Sequence, residues 1–161
     1  MITETCARLA AGPPHAAYLR KLEEALTSCK VNSFPGSTQV LMADRTRKPI
    51  RDVRIGDLVL ATDPQSGRST PQPVTDTFRH DTRHLMDITL GSGALASTVG
   101  HRFYVEGRGW VLVSALRMGD RLRTPDGTMQ TVTALHDRPS LAPREVYDLT
   151  IDKLRTFYVR P

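Results

Sequence analysis

The sequence predicts an all-β domain behind a short helical segment, and three features carry that expectation. From Thr38 onward, short β-branched runs alternate with turn clusters such as Thr62-Asp63-Pro64, Ser66-Gly67, Gly107-Arg108-Gly109 and Pro125-Asp126-Gly127. Many short strands at that spacing are the mark of an all-β architecture. The same stretch repeats itself, because Arg54-Ile55-Gly56-Asp57 returns sixty-three positions later as Arg117-Met118-Gly119-Asp120. The composition is globular, with 39% hydrophobic residues in 161, enough for one core. No run approaches the roughly 18 apolar residues of a membrane helix, so no membrane partner is expected.

Taken in order, residues 1–30 read as a helical segment and residues 31–161 as the β domain. Pro13 and Pro14 suit a first helical turn. Tyr18, Leu22, Ala25, Leu26 and Cys29 then form one apolar stripe, with Arg20, Lys21, Glu23 and Glu24 opposite, so a helix is expected over residues 14–29. In the β region, Val40-Leu41-Met42 pairs with Phe103-Tyr104-Val105 and Ile50 with Val113, again sixty-three apart. Val74-Thr75 answers Val132-Thr133, and Met86-Asp87-Ile88-Thr89-Leu90 answers Tyr147-Asp148-Leu149-Thr150-Ile151, at offsets of 58 and 61. Turn-length differences account for the drift. Two copies are too few for an extended solenoid and fit pseudo-symmetric halves that bury a shared face.

The net charge is +5, which raises nucleic acid as a partner. The arginines are scattered, and no aromatic-interleaved basic helix or stacking platform accompanies them, so nucleic-acid binding is not expected. Cys6 and Cys29 make neither a metal-ligand spacing nor a redox pair and read as two free thiols, with a disulfide between them as the alternative. No metal or other cofactor is expected. The N-terminus lacks a basic region followed by a long apolar stretch, so no signal peptide is read there.

Function is sought where the halves differ. Before the first stands Asn32-Ser33-Phe34-Pro35-Gly36-Ser37-Thr38, and before the second Ser97-Thr98-Val99-Gly100-His101. One entry offers a hydroxyl nucleophile and the other a Thr and a His three apart, together a nucleophile, an acid/base and a further donor. Ser33 is ranked first as nucleophile. Cys29, four residues upstream and intrinsically the better nucleophile, is the alternative, and otherwise ends the buried helix stripe. His15, His80, His84 and His136 lack comparable context and read as surface residues. Trp110 reads as core or cleft wall.

The stretch from Ser33 to Asp44, with Lys48-Pro49-Ile50-Arg51-Asp52-Val53-Arg54-Ile55-Gly56-Asp57, resembles the first motif of Hint domains. These are the self-processing modules of Hedgehog proteins, inteins and bacterial polymorphic toxins, and the likeness is greatest to the pretoxin type of Rhs and related toxins. Thr98-Val99-Gly100-His101 is similar to the family's Thr-x-x-His motif. Val146-Tyr147-Asp148-Leu149-Thr150-Ile151, with Thr156-Phe157-Tyr158-Val159, is similar to its late motif. The resemblance spans about residues 29–159 and implies a pseudo-two-fold β horseshoe.

The resemblance also implies a chemistry. Ser33 Oγ would attack the Asn32 carbonyl in an N-to-O acyl shift, and His101 would protonate the departing nitrogen. Thr98 would support the developing charge, with Asp148 assisting. The substrate would be the chain itself, and the parent a secreted or contact-delivered bacterial protein with a toxin or immunity partner. Arg155 stands where the late motif normally has a His. The family's terminal His-Asn pair has no counterpart in Arg160-Pro161. C-terminal cleavage and splicing are therefore not expected, and an inert Hint scaffold serving as linker or interaction module is the alternative reading.

Overall fold

The structure is a computed structural model in which residues 1–5 and 32–161 are described. The helix expected over residues 14–29, with Cys6 and Cys29, lies outside them. The described chain is nearly all strand. In order, the strands are β1 (Ile2–Glu4), β2 (Phe34–Pro35), β3 (Gln39–Leu41), β4 (Arg47–Pro49), β5 (Leu58–Thr62), β6 (Ser69–Leu90) and β7 (Gly93–Ser97). They continue as β8 (Arg102–Val105), β9 (Gly109–Leu112), β10 (Arg121–Arg123), β11 (Met129–Thr131), β12 (Ala134–Ile151) and β13 (Thr156–Arg160). One sheet runs β11-β10-β8-β1-β13-β3-β4, with β9 on β8; the other runs β2-β12-β6-β5, with β7 on β6. The long strands β6 and β12 form an antiparallel ribbon whose register slips between Pro139 and Arg144.

The duplication read from sequence is a duplication of backbone. Gly56 and Gly119 have φ of +92° and +90°, a conformation that Cβ-bearing residues rarely adopt. Gly56 N–H donates to Val74 O at 2.9 Å and Gly119 N–H to Val132 O at 2.8 Å. The following aspartates close the same turn, Asp57 Oδ2 accepting from Arg54 N–H and Asp120 Oδ2 from Arg117 N–H, each at 2.9 Å. Lys48 sits on Asp57 at 2.8 Å and Arg108 on Asp120 at 2.6 Å. Further on the bonds cross between halves: Thr75 Oγ1 donates to Thr150 O, and Thr133 Oγ1 to Thr89 O, both at 3.3 Å.

The two halves share one core. Val40, Ile50, Val53 and Val59 from the first pack in one cluster with Phe103, Val113, Leu116 and Leu122, their equivalents sixty-three positions on. Each is buried, and burial of such a side chain stabilises by about 1.5–3 kcal/mol. Trp110 packs edge-on against Tyr104, ring centroids 5.5 Å apart.

Residues 2–4, within the 1–30 stretch expected to be helical, are extended instead. Ile2–Glu4 form a strand inside the first sheet, between β8 and β13. Ile2 packs with Leu41, Leu60 and Tyr158 in a second cluster on the other face of that sheet.

Candidate active site

Ser33 is completely buried at the entry to β2, and Thr98 clamps it from both sides. The Ser33 N–H donates to Thr98 Oγ1 at 2.8 Å, and the Thr98 N–H donates to Ser33 O at 2.9 Å. Ser33 Oγ donates to Asn32 O at 2.5 Å, which sets the hydroxyl against the carbonyl of the preceding peptide bond. The Thr-x-x-His spacing is a turn, closed by the His101 N–H on Thr98 O at 3.3 Å. That turn sets the hydroxyl at one end and the imidazole at the other.

His101 is fully buried, with its ring 4.4 Å from Phe34 and 5.8 Å from Phe103, centroid to centroid. Nε2 meets Thr3 Oγ1, while Nδ1 has no hydrogen-bond partner among the described residues. Burial pushes its pKa down to about 3, so the ring is neutral near pH 7. Asp148 is also fully buried. Its Oδ1 accepts from the Leu149 N–H at 2.8 Å, and Oδ2 has no partner among the described residues. Desolvation holds this carboxyl well above the usual range and favours the protonated form. Because Val146 faces Pro35 and Tyr147 faces Phe34, Asp148 falls at the register position beside Ser33.

A further residue comes from the long ribbon. His80 lies opposite Val146, and its Nδ1 is 3.4 Å from Ser33 Oγ. Burial lowers its pKa, with Asp81 partly opposing. The sequence reading treats His80 as a surface residue. Its place beside Ser33 corrects that, and it follows from β12 pairing with both β2 and β6. His80, Thr98, Val99 and Thr82 are among the residues that line a cleft of about 550 Å³. Of the candidates read from sequence, the structure thus brings Ser33 and Thr98 into direct contact and places His101 and Asp148 beside them. Cys29 lies outside the described residues. Among the described residues, no group of three or more His, Cys, Asp or Glu side chains could hold a metal ion.

The pseudo-symmetric counterpart shows what is special here. Phe34 facing Tyr147 corresponds to Ser97 facing Met86, so Ser33 and Asp148 correspond to Ala96 and Asp87, a facing pair. Asp87 is bound by Arg138 Nη1 at 2.8 and 3.0 Å. Thr38 O receives the Ile50 N–H as His101 O receives the Val113 N–H, both at 2.8 Å, which makes Thr38 the counterpart of His101. Among the described residues, only one of the two equivalent sites holds a hydroxyl, an imidazole and an unpaired carboxyl.

Comparison with known proteins places the fold. The pretoxin HINT domain model matches residues 40–161. A bacterial intein-like domain from Clostridium thermocellum superposes with a TM-score of 0.75 at 28% identity, over 79% of this chain and 91% of that one. A DnaB intein from Synechocystis sp. superposes with a TM-score of 0.71 at 18% identity, over 80% and 93% of the two chains. A segment of 43 residues is 46% identical to the Tiggy-winkle hedgehog protein of Danio rerio, covering 27% of this chain but 10% of that protein. With its pseudo-two-fold β fold and the family match over three quarters of its length, the chain belongs to the pretoxin HINT domain family.

Proposed function

We propose that the domain cuts its own chain at the Asn32–Ser33 bond, by an N-to-O acyl shift followed by hydrolysis. The observation that carries this reading is the hold on Ser33. Its amide N–H rests on Thr98 Oγ1 at 2.8 Å, while its hydroxyl lies between Asn32 O at 2.5 Å and the His80 imidazole at 3.4 Å. A serine hydroxyl is not ionised near neutral pH and needs a base. A neutral His80 supplies one.

The steps balance. Ser33 Oγ passes its proton to His80 Nδ1 and bonds to the Asn32 carbonyl carbon. The bond from that carbon to the Ser33 nitrogen then breaks, and the nitrogen takes up a proton to become an amine. One proton leaves oxygen and one reaches nitrogen, so an ester replaces the amide with no net change. His101, at the far end of the turn that holds this nitrogen, carries no stored positive charge. It gives a proton to the nitrogen and takes in its place the one that His80 received from Ser33, so both rings end neutral. A protonated Asp148 donates toward the negative charge that develops on the Asn32 oxygen. Water then adds to the ester, leaving the Asn32 carboxyl and restoring the Ser33 hydroxyl.

The substrate in this reading is the domain's own polypeptide. The family's description as a pretoxin domain supports a parent of the secreted or contact-delivered polymorphic-toxin kind, whose partners are a toxin segment and its immunity protein. The intact mass of the purified chain, followed with and without hydroxylamine, tests the chemistry. Hydroxylamine attacks esters faster than amides and should hasten release of a fragment ending at Asn32. Ser33→Ala and His101→Ala should abolish release, and Ser33→Cys should accelerate it. An unchanged mass for both the unaltered chain and Ser33→Cys overturns the reading in favour of a silent scaffold.

A further inference from the structure

Strand β1 occupies a place that the pseudo-symmetry defines. β13 meets β3 at Val159–Val40, and β1 meets β8 at Thr3–Phe103. Val40 and Phe103 are equivalent core positions, so β1 is to the second half what β13 is to the first. The two pair with each other across the middle of the sheet, Ile2 with Tyr158, Thr3 with Phe157 and Glu4 with Thr156. That register maps onto itself when the halves are exchanged. Without β1, the facing edges of β8 and β13 would be bare, and unpaired strand edges are templates for another strand.

The fit is close along the whole segment. Met1, Ile2, Thr3 and Thr5 are each buried, Thr3 completely. Val159 N–H donates to Met1 O at 3.0 Å, and Thr5 N–H to Arg155 O at 2.7 Å. The Met1 nitrogen donates to Val159 O at 2.7 Å. The Thr3 hydroxyl reaches His101 Nε2 and donates to Arg102 O at 3.0 Å, while Glu4 lies 3.4 Å from Arg102. The side chains thus specify the occupant. An apolar residue enters the Leu41, Leu60 and Tyr158 cluster, and a hydroxyl follows on the opposite face against the imidazole.

β1 and β2 stand on opposite sides of the Asn32–Ser33 bond, and that bond belongs to the only covalent path between β1 and the rest of the domain. We propose that the slot between β8 and β13 is a strand-binding site with residues 1–5 as its ligand, so that the fragment ending at Asn32 stays bound after the chain is cut. The second half of this statement rests on the proposed cleavage before Ser33. The first half does not.

The two are tested separately on the full chain. A recognition site for a sequence-specific protease is inserted between His15 and Ala16, the chain is nicked there, and the product is run on native size exclusion with mass detection. The N-terminal piece should co-elute with the domain, and separate only under denaturant. In Thr3→Val, which keeps the shape and deletes the hydroxyl, release of the labelled piece should be about tenfold faster. Ile2→Asp should release it at once, with circular dichroism confirming that the domain remains β-rich. A fluorescent peptide of residues 1–5 should exchange into the nicked complex and compete with the resident piece. An N-terminal piece that elutes alone from the nicked, still folded wild-type chain overturns the strand-binding site. If the nicked chain holds together but no cut at Ser33 ever appears, the site stands and the processing reading falls.

Discussion

Replacing Asp148 with Asn should stabilise the domain by an amount that grows with pH. The carboxyl is completely buried, with one bond from Leu149 N–H at 2.8 Å and, among the described residues, no partner on Oδ2. Burial raises its pKa well above 3.8. The native state therefore keeps a proton that the unfolded chain has shed. Below pH 3.8 both states are protonated and the group is neutral in its effect. Above it, unfolding releases a proton, and each further pH unit removes about 1.4 kcal/mol from the native state until the native carboxyl itself ionises. Asn carries no charge, so any effect of its extra amide donors is a constant offset rather than a slope. His101 acts in the opposite sense. Its pKa falls from 6.5 to about 3 on folding, so its contribution is lost as pH drops through that window. His101 is common to both proteins and cancels in their difference. Urea unfolding of the two between about pH 4 and pH 8 should show stabilities that diverge by about 1.4 kcal/mol per unit over the lower part of that range. With a urea slope of about 1–3 kcal/mol/M, the midpoints separate by about half a molar or more per unit. A pH-independent difference would refute the assignment of Asp148 as a neutral buried acid.

Three further outcomes follow from the geometry. His80→Ala should slow release of the fragment ending at Asn32 by about 10²-fold or more, as loss of a general base does. It should slow Ser33→Cys much less, because a thiol ionises unaided near neutral pH; equal losses in both backgrounds, read by mass spectrometry, would remove His80 from the proton path. The rate should be flat near neutral pH and fall only as the solution becomes more acid than the ordinary histidine value of 6.5, because burial depresses the His80 pKa. Gly56→Ala and Gly119→Ala, at φ of +92° and +90° with nothing within 4 Å of an added Cβ, should each cost about 1–2 kcal/mol. Denaturation midpoints that move by clearly different amounts would argue against the equivalence of the two turns.

The duplication was legible because turn chemistry must repeat when backbone does. A glycine at positive φ followed by an aspartate that caps the same turn leaves the same letters twice, as at Gly56-Asp57 and Gly119-Asp120. Ser33, Thr98 and His101 were legible for the converse reason, since they stand where the copies disagree. His80 was not. It sits between Arg79 and Asp81 in a polar stretch, and its nearness to Ser33 is decided by which residue of β6 lands opposite Val146, in a ribbon whose register slips at Pro139. β1 was hidden for a related reason. Three residues carry too little periodicity to announce a strand, and their partners lie at the other end of the chain, at Thr156, Phe157 and Tyr158. Nor could the sequence separate Asp148 from Asp87, which share a local pattern; only the fold gives Arg138 to one and leaves the other alone.

That difference is also the strongest argument that the site has a function beyond packing. The fold builds the same local backbone twice, so the second copy acts as an internal control for what the backbone requires. There, Ala96, Thr38 and Pro35 stand in the places of Ser33, His101 and Thr98, and the equivalent aspartate, Asp87, is partly exposed and paired with Arg138. The scaffold therefore does not need an unpartnered carboxyl or an unprotonated imidazole at this point to close its sheets. Yet one copy keeps Asp148 Oδ2, His101 Nδ1 and Asn32 Oδ1 buried without partners among the described residues. Each such atom opposes folding by about 1–3 kcal/mol. Perturbed titratable groups held against the interest of stability are what an acid–base site requires. A hydroxyl set against its own peptide carbonyl, beside those groups, gives them something to act on.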